Sequence, residues 1–106
     1  MLKTHQCGEI RKSDVGKRVT LAGWVHRWRD HGGLIFLDLR DRSGLVQVVF
    51  NVDVSADAHH LASEARSEFV IQVEGTVELR PEGLINPHLD TGEVEVSGER
   101  LVVLLL

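Results

Sequence analysis

Cysteine, long apolar runs and aromatic residues are scarce in this sequence, and the first two shortages exclude whole classes of protein. The single cysteine, Cys7, cannot form an internal disulfide, which excludes a disulfide-stapled scaffold and suits a reducing compartment. The longest apolar run, Leu101 to Leu106, is far shorter than the roughly 20 residues of a membrane-spanning helix. No secretory signal follows Met1. We therefore expect a soluble cytoplasmic protein without a membrane partner.

The composition is that of an ordinary globular protein. The 106 residues are 42% hydrophobic and 26% charged, a balance that argues against disorder. A chain of this length is expected to form one domain, residues 1–106, with a single core.

Charge is distributed unevenly along the chain. Residues 1–42 contain nine Lys/Arg and five Asp/Glu, a net charge of +4, whereas residues 43–106 contain three and eleven, a net charge of −8. A mildly basic half can steer a polyanion locally, but a strong nonspecific phosphate binder would be basic overall. If the partner is a nucleic acid, selectivity must come mostly from base contacts.

Apolar alternation and turn residues predict five strands and one helix. The strands are expected at Val19–Val25, Leu34–Arg40, Leu45–Phe50, Phe69–Leu79 and Glu93–Leu106, with kinks at Gly23 and Gly75. A helix is expected over Ser55–Arg66, capped by Ser55 and buried along Leu61 and Ala65. This order predicts an all-β, five-stranded Greek-key OB-fold barrel with one short helix between strands 3 and 4.

The second and third strands carry the first functional signal. In Leu34–Arg40 the residues Ile35, Leu37 and Leu39 share one face, which leaves Phe36 on the outer face beside charged residues. If the following turn pairs the two strands, Gln47 lies on that same outer surface. An exposed aromatic ring beside an amide can stack on one base and read its edge. The alternative is a stray surface phenylalanine and a solvated glutamine.

Two arginines precede this strand. Arg27 and Arg29 are two residues apart and are expected to project together from the end of the first strand. Their guanidinium groups could hold phosphates or stack on unpaired bases. The alternative is a solvated strand end, with the arginines paired to Asp30 or Asp38.

The segment GWVHRWRDHGGLIFLDLRDRSGLVQVVF, residues 23–50, closely resembles the N-terminal anticodon-binding domain of bacterial-type aspartyl-tRNA synthetases. The resemblance extends through THQCGEIRKSDVGKRVTLAGW, SEFVIQVEGTVELRPEG and TGEVEV, and so covers nearly the whole chain. It implies an aspartate–tRNA ligase that uses ATP and Mg²⁺ and acts as a homodimer. Because the class II catalytic motifs are absent, we expect a fragment with no catalytic residues and no cofactor of its own.

The resemblance also implies roles for individual residues. Phe36 would stack on the middle anticodon base, a uracil, and Gln47 would bind the edge of that base. Glu95 would read the first base, a guanine or its modified form. The remaining residues implied to contact the anticodon loop are Arg27, Arg29, Arg80 and Asn86.

A finer specificity is suggested by two further positions. His31 and Gly83 resemble family members that charge both aspartate and asparagine tRNA, which differ at the last anticodon base. The sequence departs from the family at Trp28 and Glu78, where basic residues are common. We expect Trp28 to pack on the barrel, the alternative being a contact with RNA.

No metal site is expected. His59 and His60 are adjacent on the predicted helix and diverge by about 100°. His5 and Cys7 lack nearby partners.

Two rival functions remain open from the sequence. One is a free-standing OB module that binds single-stranded nucleic acid without sequence preference, and the other is a purely structural or dimerising barrel.

Overall fold

The computed structural model describes residues 2–106, and about half of them lie in five strands. The strands are β1 (Arg18–His31), β2 (Leu34–Asp41), β3 (Gly44–Phe50), β4 (Val70–Leu79) and β5 (Val94–Leu105). One helix, α1 (Ala56–Glu64), lies between β3 and β4. Three single-turn 3-10 helices span Cys7–Glu9, Lys12–Asp14 and Glu82–Leu84.

The strands close into a barrel with the order β1-β2-β3-β5-β4. Every pairing is antiparallel except the short parallel contact between β3 and β5. Closure gives every strand two neighbouring strands. The predicted all-β barrel with one helix between its third and fourth strands is confirmed.

The core follows from strict alternation along the strands. In β2 the side chains of Ile35, Leu37 and Leu39 are at most 1% exposed, and their even-numbered neighbours face outward. β3 buries Val46, Val48 and Phe50 in the same interior. The predicted inner faces of both strands are therefore confirmed, and Phe36 lies on the outside.

Helix α1 closes one end of the barrel with small side chains. Ser55 caps it, since its hydroxyl accepts a hydrogen bond from the Ala58 amide at 3.1 Å. The buried side chains are Ala58, Ala62 and Ala65, whereas Leu61 is 39% exposed. The expectation for Ala65 is confirmed and that for Leu61 is wrong, because the helix lies close to the barrel through its alanine side.

A β-bulge in β1 decides which side chains face outward beyond it. Val25 pairs with Leu39 and Arg27 with Asp38, so His26 is an extra residue in β1. Val25 faces the core, and simple alternation would send Arg27 and Arg29 inward as well. The extra residue reverses the alternation, so both arginines share the outer face with Phe36.

The two glycines expected at kinks have different roles. Gly75 lies at the register shift between β4 and β5, as expected. Gly23 lies in regular pairing, and the bulge comes three residues later. A Cβ atom at Gly23 would lie 2.2 Å from the Arg40 carbonyl oxygen, so Gly23 permits a close approach of β2 instead of a kink.

The turn between β2 and β3 is fixed by a buried carboxylate. Asp41 is 7% exposed and accepts hydrogen bonds from the Cys7 amide at 2.9 Å and from the amide and hydroxyl of Ser43. Although burial alone would raise the pKa of Asp41, these hydrogen bonds hold it below its usual value. The N-terminal segment is thereby attached to the barrel.

Candidate nucleic-acid interface

A cavity of about 390 Å³ lies on the outer surface of the barrel, beside β2 and β3. It is bordered by β1, by the loop between β4 and β5, and by side chains from both central strands. The lining residues are Arg29, His31, Phe36, Gln47, Arg80, Leu84 and Asn86. Six of these seven were predicted as site residues from the sequence.

The ring of Phe36 forms one wall of this cavity and is half-buried. The His31 ring meets it edge-on, with centroids 5.7 Å apart and an interplanar angle of 76°. The Arg29 guanidinium carbon lies 5.8 Å from the ring centroid, within the range of a cation–π contact. An aromatic ring held in this way on a polar surface is suited to stack on a flat ligand.

The amide of Gln47 is held on both sides by charged groups. Its Oε1 accepts hydrogen bonds from Arg29 at 3.2 Å and Arg80 at 3.4 Å, and its Nε2 donates to Glu95 at 3.1 Å. An amide nitrogen carries two hydrogens, so one N–H remains for a ligand. Gln47 is 5% exposed, which argues against the alternative of a solvated glutamine, because three charged side chains surround it.

Arg80 lies beneath the cavity and is only 8% exposed. Its Nε donates to the Val94 carbonyl oxygen at 2.9 Å, while its Nη2 is buried without a hydrogen-bond partner among the described residues. Burial lowers the pKa of the Arg80 guanidinium, and the charge of Glu95 opposes this shift. A buried cation with an unpaired donor is costly unless a ligand supplies an acceptor.

Glu95 lies behind Gln47 on β5 and does not line the cavity itself. Burial raises the pKa of its carboxyl group, which the hydrogen bond from Gln47 and the charge of Arg80 partly offset. Glu78 is exposed and lies opposite Glu95 across the β4–β5 pair, where it adds to the rise. The carboxylate of Glu95 is thus an acceptor held at the back of the site.

The loop between β4 and β5 forms the far wall. Asn86 lines the cavity, and its Oδ1 accepts a hydrogen bond from the His88 amide at 3.0 Å. A Cβ atom at Gly92 would lie 1.7 Å from the Asn86 carbonyl oxygen, so glycine is required where this loop closes on itself. Gly83 is exposed, and no heavy atom lies within 4 Å of a Cβ placed there, so it leaves open space beside the cavity.

Two residues considered in the sequence analysis, Arg27 and Trp28, lie beside the cavity without lining it. Arg27 is exposed on the outer face, opposite Asp38. Trp28 points the other way, packs against the core, and donates from Nε1 to the Ala62 carbonyl oxygen at 2.9 Å. The expected packing of Trp28 on the barrel is therefore what the structure shows.

The histidines of α1 make contacts within the fold. His59 forms a hydrogen bond with the Gly33 carbonyl oxygen, next to the β1–β2 turn, and His60 lies 3.2 Å from Glu64. Within residues 2–106 no group of three or more His, Cys, Asp or Glu side chains could hold a metal ion. The same residues contain no helix that is long and apolar enough to cross a membrane.

Comparison with known proteins now adds to this geometry. Residues 19–104 match the tRNA anti-codon family, described as an OB-fold nucleic acid binding domain. The chain belongs to this family. As an anticodon OB-fold domain it carries the family's fold, and the cavity on its outer face is the candidate site for nucleic acid.

Curated relatives and solved structures agree with this membership. The domain is 57% identical over 104 residues to the aspartate–tRNA(Asp/Asn) ligase of Desulfatibacillum aliphaticivorans, and 61% identical over 105 residues to that of Corynebacterium efficiens. Each match covers 98% of this chain and 17% of the relative, so the chain spans about a sixth of their length. The resemblance to bacterial-type aspartyl-tRNA synthetases is confirmed.

A crystal structure of asparaginyl-tRNA synthetase from Pyrococcus horikoshii, complexed with asparaginyl-adenylate, superposes on the domain with a TM-score of 0.81. The two are 32% identical, and the match covers 99% of this chain and 23% of that one. The likeness shows that this asparaginyl-tRNA synthetase contains a domain of the same fold.

Sequence reasoning missed two features of the site. Leu84 adds an apolar contact from the 3-10 turn after β4, and no pattern in that proline-containing loop indicates it. The bulge at His26 was also missed. Its only trace in the sequence is that strict alternation would bury two arginines, which is energetically costly.

Proposed function

We propose that this domain recognises the anticodon loop of aspartate tRNA as the N-terminal part of an aspartate–tRNA ligase. The observation that carries the proposal is the cavity in which the Phe36 ring and the Gln47 amide lie together on the outer face of the barrel. A ring that stacks and an amide that reads an edge are what recognition of an unpaired base requires.

The middle anticodon base is assigned to this cavity. A uracil stacked on Phe36 would present a carbonyl oxygen to the remaining N–H of Gln47, while Arg29 and Arg80 hold the amide oxygen. Since those two cations occupy the acceptor end of the amide, the site favours a base that accepts a hydrogen bond at this edge. Cytosine presents an amino donor at the position where uracil presents O4.

The first anticodon base is assigned to Glu95, behind Gln47, and the last base to the loop between β4 and β5. The Glu95 carboxylate, when ionised, accepts from the N1–H and the exocyclic amino group of a guanine at the first position. Arg80 and Asn86 face the last base, Arg29 lies over the loop beside it, and Arg27 lies nearby. His31 and Gly83 leave that end loosely filled, which would let the domain accept both aspartate tRNA, ending in C, and asparagine tRNA, ending in U.

The relatives support a proposal about the longer protein to which this domain belongs. We propose that residues 1–106 are the anticodon-binding domain of a cytoplasmic, homodimeric class II ligase that joins aspartate to tRNA with ATP and Mg²⁺. The domain itself contributes binding energy that depends on the anticodon, so that only a cognate tRNA is held productively at a distant catalytic site.

The proposal is tested by competition between two RNA hairpins of identical stem. One carries a loop with the anticodon GUC and the other a scrambled loop of the same composition, and binding to the 106-residue chain is followed by fluorescence titration. We expect the GUC hairpin to bind about tenfold more tightly, since hydrogen bonds to the edge of a base discriminate against a wrong base by about 1–3 kcal/mol. Equal binding would instead indicate a generic single-strand binder, and no binding would leave only a structural barrel.

A further inference from the structure

We propose that Arg27, Arg40 and Arg42 form a second binding element, a row of guanidinium groups that holds RNA backbone phosphates beside the anticodon loop. The inference rests on the proposed function, because it concerns the same RNA. It differs in kind from the cavity, since phosphate contacts position an RNA without reading its sequence. We call these three residues the arginine row.

The arginine row starts next to the cavity and leads away from it. Arg40 follows Phe36 and Asp38 on the outer face of β2, and Arg27 is paired with Asp38 across the β1–β2 ladder. Arg27 and Arg40 are therefore diagonal neighbours, with backbones roughly 7–8 Å apart. Arg42 follows in the turn that ends β2.

These three arginines differ from the others in having no side-chain partner among residues 2–106. Within residues 2–106 none of them makes a side-chain hydrogen bond or ion pair, and the Nε of Arg40 is buried without an acceptor. Asp38 does not neutralise Arg27, because its carboxylate pairs with Arg29 at 3.4 Å. In the same part of the chain every other arginine contacts a carboxylate or a carbonyl oxygen: Arg11, Arg18, Arg29, Arg66, Arg80 and Arg100.

The absence of partners is notable because acidic residues outnumber basic ones in this chain, by 16 to 12. The acidic group closest in sequence, Asp41, is turned inward and bound by the Cys7 amide and by Ser43. It is also 3.6 Å from the Lys3 ammonium. The fold has thus turned Asp41 away from the arginine row.

Space for a backbone exists on both sides of the β2–β3 turn. Arg40 lines a cleft of about 210 Å³ together with His88, and Arg42 lines a cleft of about 660 Å³ together with Lys3 and His5. Ser43 borders both clefts. Two carboxylates lie at their rims: Glu9, and Asp90, which is 3.9 Å from Arg11.

Phosphate is the ligand chemistry that this arrangement fits. A guanidinium group offers a planar fork of donors that matches two phosphate oxygens, and it stays charged at any physiological pH. A row that continues from a base-binding cavity is where the backbone of the adjoining stem would run. The positive half of the chain, residues 1–42, contains the whole row.

The salt dependence of binding tests this assignment. We compare the wild-type chain with the triple variant Arg27→Gln, Arg40→Gln, Arg42→Gln, titrating the GUC and scrambled hairpins at several salt concentrations. Each lost phosphate contact makes the negative slope of log K against log salt less steep by about 1. The slope of the triple variant should therefore be less steep than that of the wild type by about 2–3. The affinities for both hairpins should fall by the same factor, leaving the preference for GUC intact.

The matched control changes the net charge equally at positions already paired within the chain. Lys17→Gln, Arg18→Gln, Arg100→Gln removes three cations that lie beside Asp14, Glu74 and Glu99. We expect it to alter the slope by less than about 1, as long-range charge effects are screened. Because Arg40 is half-buried, its replacement could also disturb the fold, so the double variant Arg27→Gln, Arg42→Gln is measured too; both of its positions are exposed. Its slope should be less steep than that of the wild type by about 2.

An unchanged slope in the triple and double variants would overturn the inference and leave the row free for another partner. A loss confined to the GUC hairpin would also overturn it, because the arginines would then be reading the loop. If the wild type does not prefer GUC but the slope still falls, the phosphate row stands and the proposed function fails.

Discussion

The barrel has two polar faces, and they treat charge in opposite ways. On the β4–β5 face Arg18, Glu74, Glu99 and Arg100 pair with one another while their side chains are 29–67% exposed. On the cavity face Gln47 and Arg80 are at most 8% exposed, and a donor nitrogen of Arg80 has no acceptor in the part of the chain that the structure describes. On the β4–β5 face the charged side chains neutralise one another, whereas on the cavity face a hydrogen-bond donor stays available for a ligand.

The energetic consequences should differ accordingly. Exposed ion pairs contribute about 0–1 kcal/mol each, because water competes for both partners. Buried polar groups that lose a partner cost about 1–3 kcal/mol, because water cannot replace the hydrogen bond. The β4–β5 face should tolerate substitution, and the cavity face should lose stability, binding or both.

The largest expected effect on stability comes from Arg80→Met. The substitution removes the hydrogen bonds that Arg80 donates to the Val94 carbonyl oxygen and to the Gln47 amide oxygen. We expect the free energy of unfolding to fall by about 2–3 kcal/mol in urea denaturation. Arg18→Met, on the other face, should change it by at most about 1 kcal/mol. Equal losses in the two variants would remove the contrast between the faces.

Phe36→Ala should have the largest effect on binding. Loss of the stacking surface is expected to weaken binding of the GUC hairpin by roughly 10- to 100-fold, from about 1–3 kcal/mol of stacking. Fluorescence titration measures this, with Leu79→Ala as a control that removes an exposed apolar side chain on β4. If Phe36→Ala changed the oligomeric state and spared RNA binding, the cavity would be a protein contact.

The pH dependence of the free energy of unfolding should distinguish Glu95 from the carboxylates of Asp14 and Asp41. Burial raises the pKa of Glu95, so the folded state holds its proton more tightly than the unfolded state does. Its contribution to stability therefore grows as the pH falls through that raised pKa towards about 4–4.5. Asp14 and Asp41 have lowered pKa values, and their contributions are lost only at still lower pH.

RNA binding should show the opposite sign. Protonation removes the negative charge of Glu95 and leaves one acceptor oxygen in place of two, so binding of the GUC hairpin should weaken as the pH falls through the same range. Glu95→Gln should remove this pH dependence from both the unfolding curves and the titrations. A variant that retained the wild-type profile would assign the titration to another group.

The smallest effect is expected from His31→Leu. His31 is exposed and touches the edge of the Phe36 ring, so its replacement should alter one end of the cavity without removing it. We expect binding of a hairpin ending its anticodon in U to fall about two- to fivefold more than that of one ending in C, a difference of under about 1 kcal/mol. Equal losses on both hairpins would exclude a role in distinguishing the two tRNAs.

Most of the fold could be predicted from the sequence because each strand alternates cleanly. Ile35, Leu37 and Leu39 are separated by polar or outward residues, and that pattern sets both the strand and its inner face. The helix was also predicted, but its buried side was not, since Leu61 is more apolar than the alanines that pack. Close approach to the barrel, which small side chains allow, outweighed hydrophobicity there.

The composition of the site could be predicted, but not its arrangement. The outward position of Phe36 follows from parity within one strand. The burial of Gln47 depends on Arg29, Arg80 and Glu95, which come from three other strands or their ends and meet only in the closed barrel. Such long-range contacts leave no local pattern in the sequence.

Which side chains of β1 face the binding surface depends on the number of residues in the strand as well as on their identity. Deleting His26 would restore unbroken pairing in β1, and every side chain from Arg27 to His31 would exchange inside for outside. Two guanidinium groups would then be forced into the apolar interior while the Trp28 indole swung into solvent. A one-codon loss, with no functional group altered, would erase the binding surface and the fold's packing together.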